Sequence, residues 1–184
     1  MCIRALILIL LFAVNAHAID RCHKYLPIVK REAHYIGGLN APFHYFISQI
    51  KVESSCRDGL IAYDGGMGLM QIMPTTAKEL HQKYPYLQKI PYNPLSPEWN
   101  IRAGILYDYA CYRATICKGW YFAFRAYNGG VGNLNREIKR AGSCEWEKVE
   151  QNCRRSRDKY VDFCMVNISY PYKIFRFSKE YNLK

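Results

Sequence analysis

The spacing of apolar residues along the chain predicts a protein built mainly from helices. Phe43, Phe46, Ile47 and Ile50 fall at positions i, i+3, i+4 and i+7, which is one apolar stripe of a helix. Pro42 stands immediately before this run, at a position that suits the first turn. Residues 100–117 repeat the same spacing and end at Lys118-Gly119, which supplies a stop. Strand signals are sparse, so the predicted class is mainly α.

Prolines and glycines mark the boundaries of the other predicted elements. In chain order these are a turn-rich loop over residues 57–68 with a short extended stretch at 60–63, a helix from Pro74, a surface crossing over residues 84–97, a short helix over residues 120–127 that ends at Gly129-Gly130, and a helix around residues 158–168. No internal repeat, low-complexity stretch or linker interrupts this order. We therefore expect a single domain.

Residues 1–18 have the pattern of a cleavable secretory signal. Arg4 precedes an apolar run of about ten residues, and Ala16-His17-Ala18 offers the small residues that a signal peptidase needs. An uncleaved anchor is the alternative, but a membrane span needs roughly 20 apolar residues. The mature protein is therefore expected to comprise residues 19–184, without a stable membrane anchor, in the periplasm or cell envelope.

Cysteine content points to disulfide bonds. Cys2 lies in the predicted signal, and the mature chain keeps seven cysteines: Cys22, Cys56, Cys111, Cys117, Cys144, Cys153 and Cys164. In an oxidising compartment they predict up to three disulfides and one leftover thiol, in pairings that sequence cannot assign. A zinc site is the weaker alternative because CxxC pairs and suitably spaced histidines are absent, so no metal or cofactor is expected. The late cysteines predict a disulfide-braced C-terminal part, about residues 140–184.

The chain is basic, with a formal net charge of +11. Many of the late positive charges lie in Lys139-Arg140, Arg154-Arg155, Arg157, Lys159, Lys173 and Arg176. A basic exported protein is expected to bind an anionic partner. Cell-wall polymer suits this expectation better than nucleic acid, since no recognition helix, zinc finger or RNA-binding aromatic signature is present. The alternative is that the charges form only a solvated face.

Glu53 occupies an unusual position for a carboxylate. It follows Ile50 by three residues and so extends the apolar stripe at the C-terminal end of the first predicted helix. Apolar surroundings and the negative end of the helix dipole both disfavour a negative charge, so its pKa should be raised, as a general acid requires. The alternative is a structural carboxylate paired with a lysine or an arginine.

Four motifs together resemble those of soluble lytic murein transglycosylases. They are Glu53-Ser54, the Gly-Leu-Met-Gln-Ile-Met-Pro run at residues 68–74, Thr76-Ala77, and the Ala-Tyr-Asn-Gly-Gly run at residues 126–130. The resemblance covers roughly residues 36–134. It implies a lysozyme-like helical (SLT) domain with a cleft that binds peptidoglycan strands. Such a domain cleaves the bond between MurNAc and GlcNAc without adding water, and it leaves a 1,6-anhydro-MurNAc end.

The resemblance also assigns roles to individual residues. Glu53 would be the catalytic acid that protonates the leaving oxygen, and then the base that takes a proton from the muramyl C6 hydroxyl. The predicted substrate-binding residues are Ser54, Gln71, Met73, Tyr127, Asn128 and Tyr170. Ser54 could instead hydrogen-bond to the helix end, Tyr127 could be a core tyrosine, and the neighbouring Pro171 and Tyr172 leave the register of Tyr170 open.

Two departures from the family pattern leave other functions open. Ala62 stands nine positions after Glu53, where many members have serine, and the stretch from Cys144 to Cys164 has no family counterpart. One alternative is a hydrolytic muramidase in which Asp58 or Asp64 holds a water. Another is a non-catalytic peptidoglycan-binding assembly factor. Opening the wall for a trans-envelope secretion or conjugation apparatus is a role compatible with catalysis.

Overall fold

A computed structural model describes residues 20–155 and 161–182, and over these residues the chain is mainly helical. A 3-10 turn (Arg21–Tyr25) leads into the α-helices α1 (Leu26–Gly37), α2 (Phe43–Ser54), α3 (Pro74–Lys83), α4 (Pro85–Gln88), α5 (Pro97–Ala114), α6 (Trp120–Gly129), α7 (Val131–Ala141), α8 (Trp146–Gln151) and α9 (Phe163–Tyr181). The described residues form no β-strand, and isolated bridges join Met67 to Ile61 and to Ile72. The predicted class is confirmed, whereas the predicted signal lies outside the described residues.

The best-defined sequence patterns correspond to helices in the structure. The stripe behind Pro42 is α2, with Phe46, Ile47 and Ile50 fully buried. The prediction over residues 100–117 corresponds to α5, which begins earlier at Pro97 and ends before Cys117. The helix from Pro74 and the short helix before the paired glycines are also present, as α3 and α6.

Three parts of the secondary structure differ from the prediction. The surface crossing over residues 84–97 contains the helical turn α4, because Leu87 is fully buried there. Helices α1, α7 and α8 were not predicted at all. The tail helix starts later, at Phe163, and continues through Pro171 to Tyr181. Packing of α9 against α2 and α6 compensates for the backbone hydrogen bond that a proline cannot donate.

Helix α2 lies at the centre of the fold. Helix α1 packs on it from one direction and α9 from another, while α5 contacts α1, α3 and α6. The C-terminal end of α2, which carries Glu53, therefore lies between the N-terminal helices and the last helix of the chain. None of the helices in the described part of the chain is long and apolar enough to cross a membrane.

A buried ion-pair network joins α1 to α5. Glu32 is fully buried and accepts hydrogen bonds from Arg102 Nε at 2.9 Å and from the Tyr86 hydroxyl at 2.6 Å. Arg31 donates to the same carboxylate at 2.8 Å. Burial alone would raise the pKa of Glu32, but the hydrogen bonds from Arg102, Tyr86 and Arg31 outweigh burial and hold the pKa below its usual value.

Three disulfides are present, and one described cysteine remains free. Cys22–Cys56 joins the first turn to the residue just past α2, Cys117–Cys144 encloses α6 and α7, and Cys153–Cys164 ties the segment after α8 to the start of α9. Cys111 is a buried free thiol. The expected number of bridges is confirmed, and the last two brace the C-terminal part as predicted.

Candidate active site

Most of the predicted site residues surround one cavity of about 290 Å³, called here the acid cavity. It is lined by Glu53, Ala62, Asp64, Gly66, Gln71, Met73, Tyr127 and Asn128. These residues come from the end of α2, the loop that follows it, the start of α3 and the end of α6. Ser54 and Tyr170 do not line this cavity.

Glu53 is held at the end of α2 by a contact from the last helix. Ser55 ends α2 in the left-handed conformation, and Glu53 is partly exposed. The hydroxyl of Tyr170, a buried residue of α9, donates a hydrogen bond to Glu53 Oε1. Tyr172, by contrast, donates to Glu150 on the protein surface. In this structure the tyrosine that contacts Glu53 is therefore Tyr170.

The surroundings of Glu53 favour its protonated form. Burial raises the pKa of Glu53 to about 7; the hydrogen bond from Tyr170 opposes this rise, and the negative charge of Asp64 adds to it. Among the described residues no lysine, arginine or histidine forms an ion pair with Glu53. A carboxyl group in this state can donate a proton at neutral pH and take one back.

Tyr127 and Asn128 form the α6 wall of the cavity. The Tyr127 hydroxyl donates to the carbonyl oxygen of Met70 at 2.6 Å, and the ring packs against Tyr107 at 4.9 Å between centroids. Asn128 Oδ1 accepts a hydrogen bond from Asn167 of α9 at 3.1 Å. Both side chains are thus fixed by neighbours while they face the cavity.

Gln71 and Met73 come from the loop that closes the cavity. Gln71 adopts a left-handed backbone conformation (φ 47°), and its Nε2 donates to the Gly68 carbonyl at 2.6 Å and to the Leu60 carbonyl at 3.3 Å. The side-chain amide nitrogen of Gln71 therefore forms its hydrogen bonds within the loop. Met73 precedes α3 and is 41% exposed, which leaves its thioether available to pack against a ligand.

Ser54 lies behind the cavity. It is buried, and its hydroxyl donates to the Ile50 carbonyl within α2 at 3.1 Å. This is the helix-end hydrogen bond that the sequence left open as the alternative to substrate binding. The two aspartates of the loop also differ, because Asp64 lines the cavity whereas Asp58 accepts a hydrogen bond from Tyr25 at 2.7 Å and does not.

Asn100 is a positioning residue that the sequence analysis missed. It is fully buried at the start of α5, where its Oδ1 accepts from the Met70 N–H at 2.7 Å. Its Nδ2 donates to the Met67 carbonyl at 2.9 Å and to the Pro94 carbonyl at 2.7 Å. A Cβ on Gly68, which has φ 72°, would lie 2.6 Å from the Asn100 amide nitrogen. The glycine therefore allows Asn100 to hold the loop that carries Gln71.

Across residues 20–155 and 161–182, no three histidine, cysteine, aspartate or glutamate side chains are grouped as metal ligands. The chemistry that the residues offer is proton transfer at Glu53, in a cavity with polar and apolar walls. This is the type of site found in enzymes that cleave glycosidic bonds.

Comparison with known proteins identifies the fold and the family. The Transglycosylase SLT domain family matches residues 31–149, more than half of the chain, and the chain belongs to this family. A solved complex of the 70-kDa soluble lytic transglycosylase with bulgecin A superposes with a TM-score of 0.66 at 24% identity. The match covers 86% of this chain and 24% of that chain, so this chain spans about a quarter of that protein's length. The predicted lysozyme-like SLT fold is confirmed.

Proposed function

We propose that this protein is a peptidoglycan lytic transglycosylase that cleaves the MurNAc–GlcNAc bond and leaves a 1,6-anhydro-MurNAc end. One observation carries the proposal. Glu53 has a pKa raised to about 7, no ion-pair partner in the described part of the chain, and a place in the cavity of an SLT domain. A glutamate held only for structure would be paired, as Glu32 is.

The proposed reaction uses Glu53 twice. Its protonated carboxyl donates a proton to the glycosidic oxygen as the bond from that oxygen to the muramyl C1 breaks. The resulting carboxylate takes the proton from the muramyl C6 hydroxyl, whose oxygen bonds to C1 and closes the anhydro ring. The hydrogen bond from Tyr170 stabilises the carboxylate between these two steps. Glu53 ends the cycle protonated, and no water is consumed.

A hydrolytic muramidase is the second candidate, and Asp64 is the observation that favours it. Asp64 lines the acid cavity together with Glu53, so its carboxylate could activate a water beside the sugar. In that reaction water, rather than the C6 hydroxyl, would attack C1. The two reactions leave different ends on the glycan, because a hydrolysed MurNAc end retains one more water.

Mass spectrometry of the released muropeptides tests both candidates. Purified peptidoglycan is digested with the mature protein, with Glu53→Gln and with Asp64→Asn. We expect anhydro-MurNAc products from the wild type and from Asp64→Asn, and none from Glu53→Gln. Reducing-end products that disappear in Asp64→Asn would establish the hydrolase. Tight binding to the wall without any release by the wild type would establish a binding module.

We also propose that the protein acts in the periplasm or cell envelope on peptidoglycan strands. The support is the three disulfides, which persist in oxidising compartments, and the signal-like pattern of residues 1–18. Opening the wall for a secretion or conjugation apparatus is the proposed setting. Substrate transfer by that apparatus should fail in cells that carry only Glu53→Gln and recover with the wild type.

A further inference from the structure

A second cavity adjoins the acid cavity on the side of the C-terminal part. Its volume is about 730 Å³, and it shares Asp64 and Asn128 with the acid cavity, so the two lie side by side. The remaining wall includes Arg154, Arg155 and the first turns of α9. We call it the arginine cavity. The proton-transfer chemistry at Glu53 uses none of its arginines.

A buried charge cluster adjoins the arginine cavity through Arg155, the member of the cluster that lines it. Arg125 Nη2 donates to Glu137 Oε2 at 2.7 Å, and Arg155 Nε donates to Glu137 Oε1 at 2.9 Å. The side chain of Arg155 is 10% exposed, and those of Arg125 and Glu137 are almost completely buried. Two guanidinium groups thus share one carboxylate, which leaves one positive charge uncompensated within the cluster.

The cluster also has unused hydrogen-bond donors. Within the described residues, Arg125 Nη1 and Arg155 Nη2 have no hydrogen-bond partner. Buried charged groups normally gain partners for their donors, since an unpaired buried donor is costly. Excess positive charge and unpaired N–H groups together favour the binding of an anion close to the cluster.

The last disulfide positions the arginines of this cavity. Cys153–Cys164 holds the segment with Arg154 and Arg155 against the start of α9, where the Arg155 backbone N–H also donates to Cys164 Sγ at 3.3 Å. The Arg155 guanidinium lies against Gly129, where a Cβ would be 1.7 Å from Nη1. Both arginines lie beyond residue 149, where the family match ends. The arginine cavity therefore combines residues of the matched domain, such as Asn128 and Gly129, with arginines from outside the match.

From these contacts we infer that the arginine cavity binds the carboxylates of the peptide stem carried by MurNAc. This inference rests on the proposed function. The lactyl carboxyl of MurNAc is bound as an amide to its peptide, so the negative charges of the substrate reside in the peptide rather than in the sugars. When a muramyl sugar lies in the acid cavity, the peptide attached to that sugar must extend into the space next to the cavity. The arginine cavity offers it a positively charged wall at Arg154 and Arg155.

A binding measurement tests this inference without requiring catalysis. All variants are made on Glu53→Gln, and calorimetry at low salt compares glycan fragments that carry stem peptides with the same fragments stripped by an amidase. We expect the parent to bind the peptide-bearing fragments roughly three- to ten-fold more tightly, as suits one or two partly exposed charge pairs. Because the reaction is not involved, this result is independent of which glycan ends the enzyme makes.

Charge reversal at Arg154 sharpens the test. Arg154 is exposed, so Arg154→Glu should leave the fold intact while it changes the potential of the arginine cavity. We expect the preference for peptide-bearing fragments to disappear or reverse. Lys173→Glu is the matched control, because Lys173 is exposed on α9 and lines neither cavity, and it should keep the preference. Equal affinity of the parent for both fragments, or a preference that survives Arg154→Glu, would overturn the inference.

Discussion

Two glutamates on neighbouring helices are both withdrawn from water, yet their surroundings change their acidity in opposite directions. Glu32 on α1 is fully buried, and its pKa is lowered because Arg102, Tyr86 and Arg31 donate to it and outweigh burial. Glu53 on α2 is partly exposed, and its pKa is raised to about 7 because burial is opposed by a single phenol. The pKa values of the two glutamates therefore differ because of their hydrogen-bond partners rather than because of burial.

This difference separates a structural carboxylate from a reactive one. Glu32 is stabilised as an anion that joins α1 to α5, and a proton is not readily added to it. Glu53 lacks a cation in the described part of the chain. Its pKa of about 7 lets the carboxyl both lose and regain a proton near neutral pH.

The largest effect is expected from Glu53→Gln, on the rate of peptidoglycan cleavage. Loss of the proton donor and acceptor should slow peptidoglycan cleavage by about 10²- to 10⁴-fold or more. The release of soluble glycan from sacculi measures it, with Glu180→Gln, an exposed partner of Lys51, as the control that keeps the wild-type rate. Retention of a tenth of the wild-type rate by Glu53→Gln would contradict its role.

Glu32→Gln should instead act on stability. It leaves the guanidinium of Arg102 buried without its carboxylate, which costs about 3–5 kcal/mol of unfolding free energy. The pKa of Glu32 is lowered in the folded chain, so its contribution is present above about pH 4.5 and lost as pH falls through the folded value. Urea unfolding at pH 7 and in acid measures both effects.

Glu98→Gln is the matched control for that experiment. Glu98 contacts Arg102 at 3.4 Å, but its side chain is 47% exposed, so its removal should cost no more than about 1 kcal/mol. Equal destabilisation by Glu32→Gln and Glu98→Gln would show that burial of the pair has no special importance.

Stability should depend on pH in the opposite sense at Glu53. Its pKa is raised in the folded chain, so the folded protein is favoured most below about pH 4.5, and this advantage is lost as pH rises towards 7. Relative to the wild type, Glu53→Gln should therefore gain about 3 kcal/mol between pH 4.5 and 8. A stability difference that does not change over this range would mean that the pKa of Glu53 is not raised.

The smallest effect is expected from Tyr170→Phe. Loss of the phenol removes the hydrogen bond that opposes the raised pKa of Glu53, so the alkaline limb of the pH–rate profile should move to higher pH. The rate should fall by roughly ten-fold, mainly in kcat, since the charged form of Glu53 loses a donor. Tyr172→Phe, which removes a surface hydrogen bond to Glu150, should leave the profile unchanged.

Apolar spacing along the chain is enough to predict some helices, whereas other features of the helices depend on contacts between distant residues. Helix α2 has a full apolar stripe, so periodicity was sufficient. Helix α7 also has an apolar stripe, since Val131, Leu134 and Ile138 fall at i, i+3 and i+7, and the sequence analysis overlooked it. Its buried Glu137, by contrast, depends on Arg125 of α6. Pro171 reads as a helix end in sequence, yet α9 continues through it. These outcomes depend on tertiary packing.

The residues of the active site also include some that the sequence could predict and others that it could not. Motif spacing was enough to predict five of the residues that line the acid cavity, because these five lie in short segments with characteristic order. Asn100 could not be recognised, since its importance lies in hydrogen bonds to a loop 30 residues away in sequence. Arg155 likewise could not be recognised, because it donates hydrogen bonds to Glu137 and to the Gly129 carbonyl, which belong to other elements.

The buried Cys111 has a consequence for how the protein survives oxidation. Thiol–disulfide exchange requires a thiolate that can reach another sulfur. Burial raises the pKa of the Cys111 thiol, and the negative charge of Asp108 raises it further. In the folded chain this sulfur is both protonated and enclosed. In an oxidising environment, Cys111 should therefore neither link the folded chain to a second copy nor exchange with the disulfides Cys22–Cys56, Cys117–Cys144 and Cys153–Cys164.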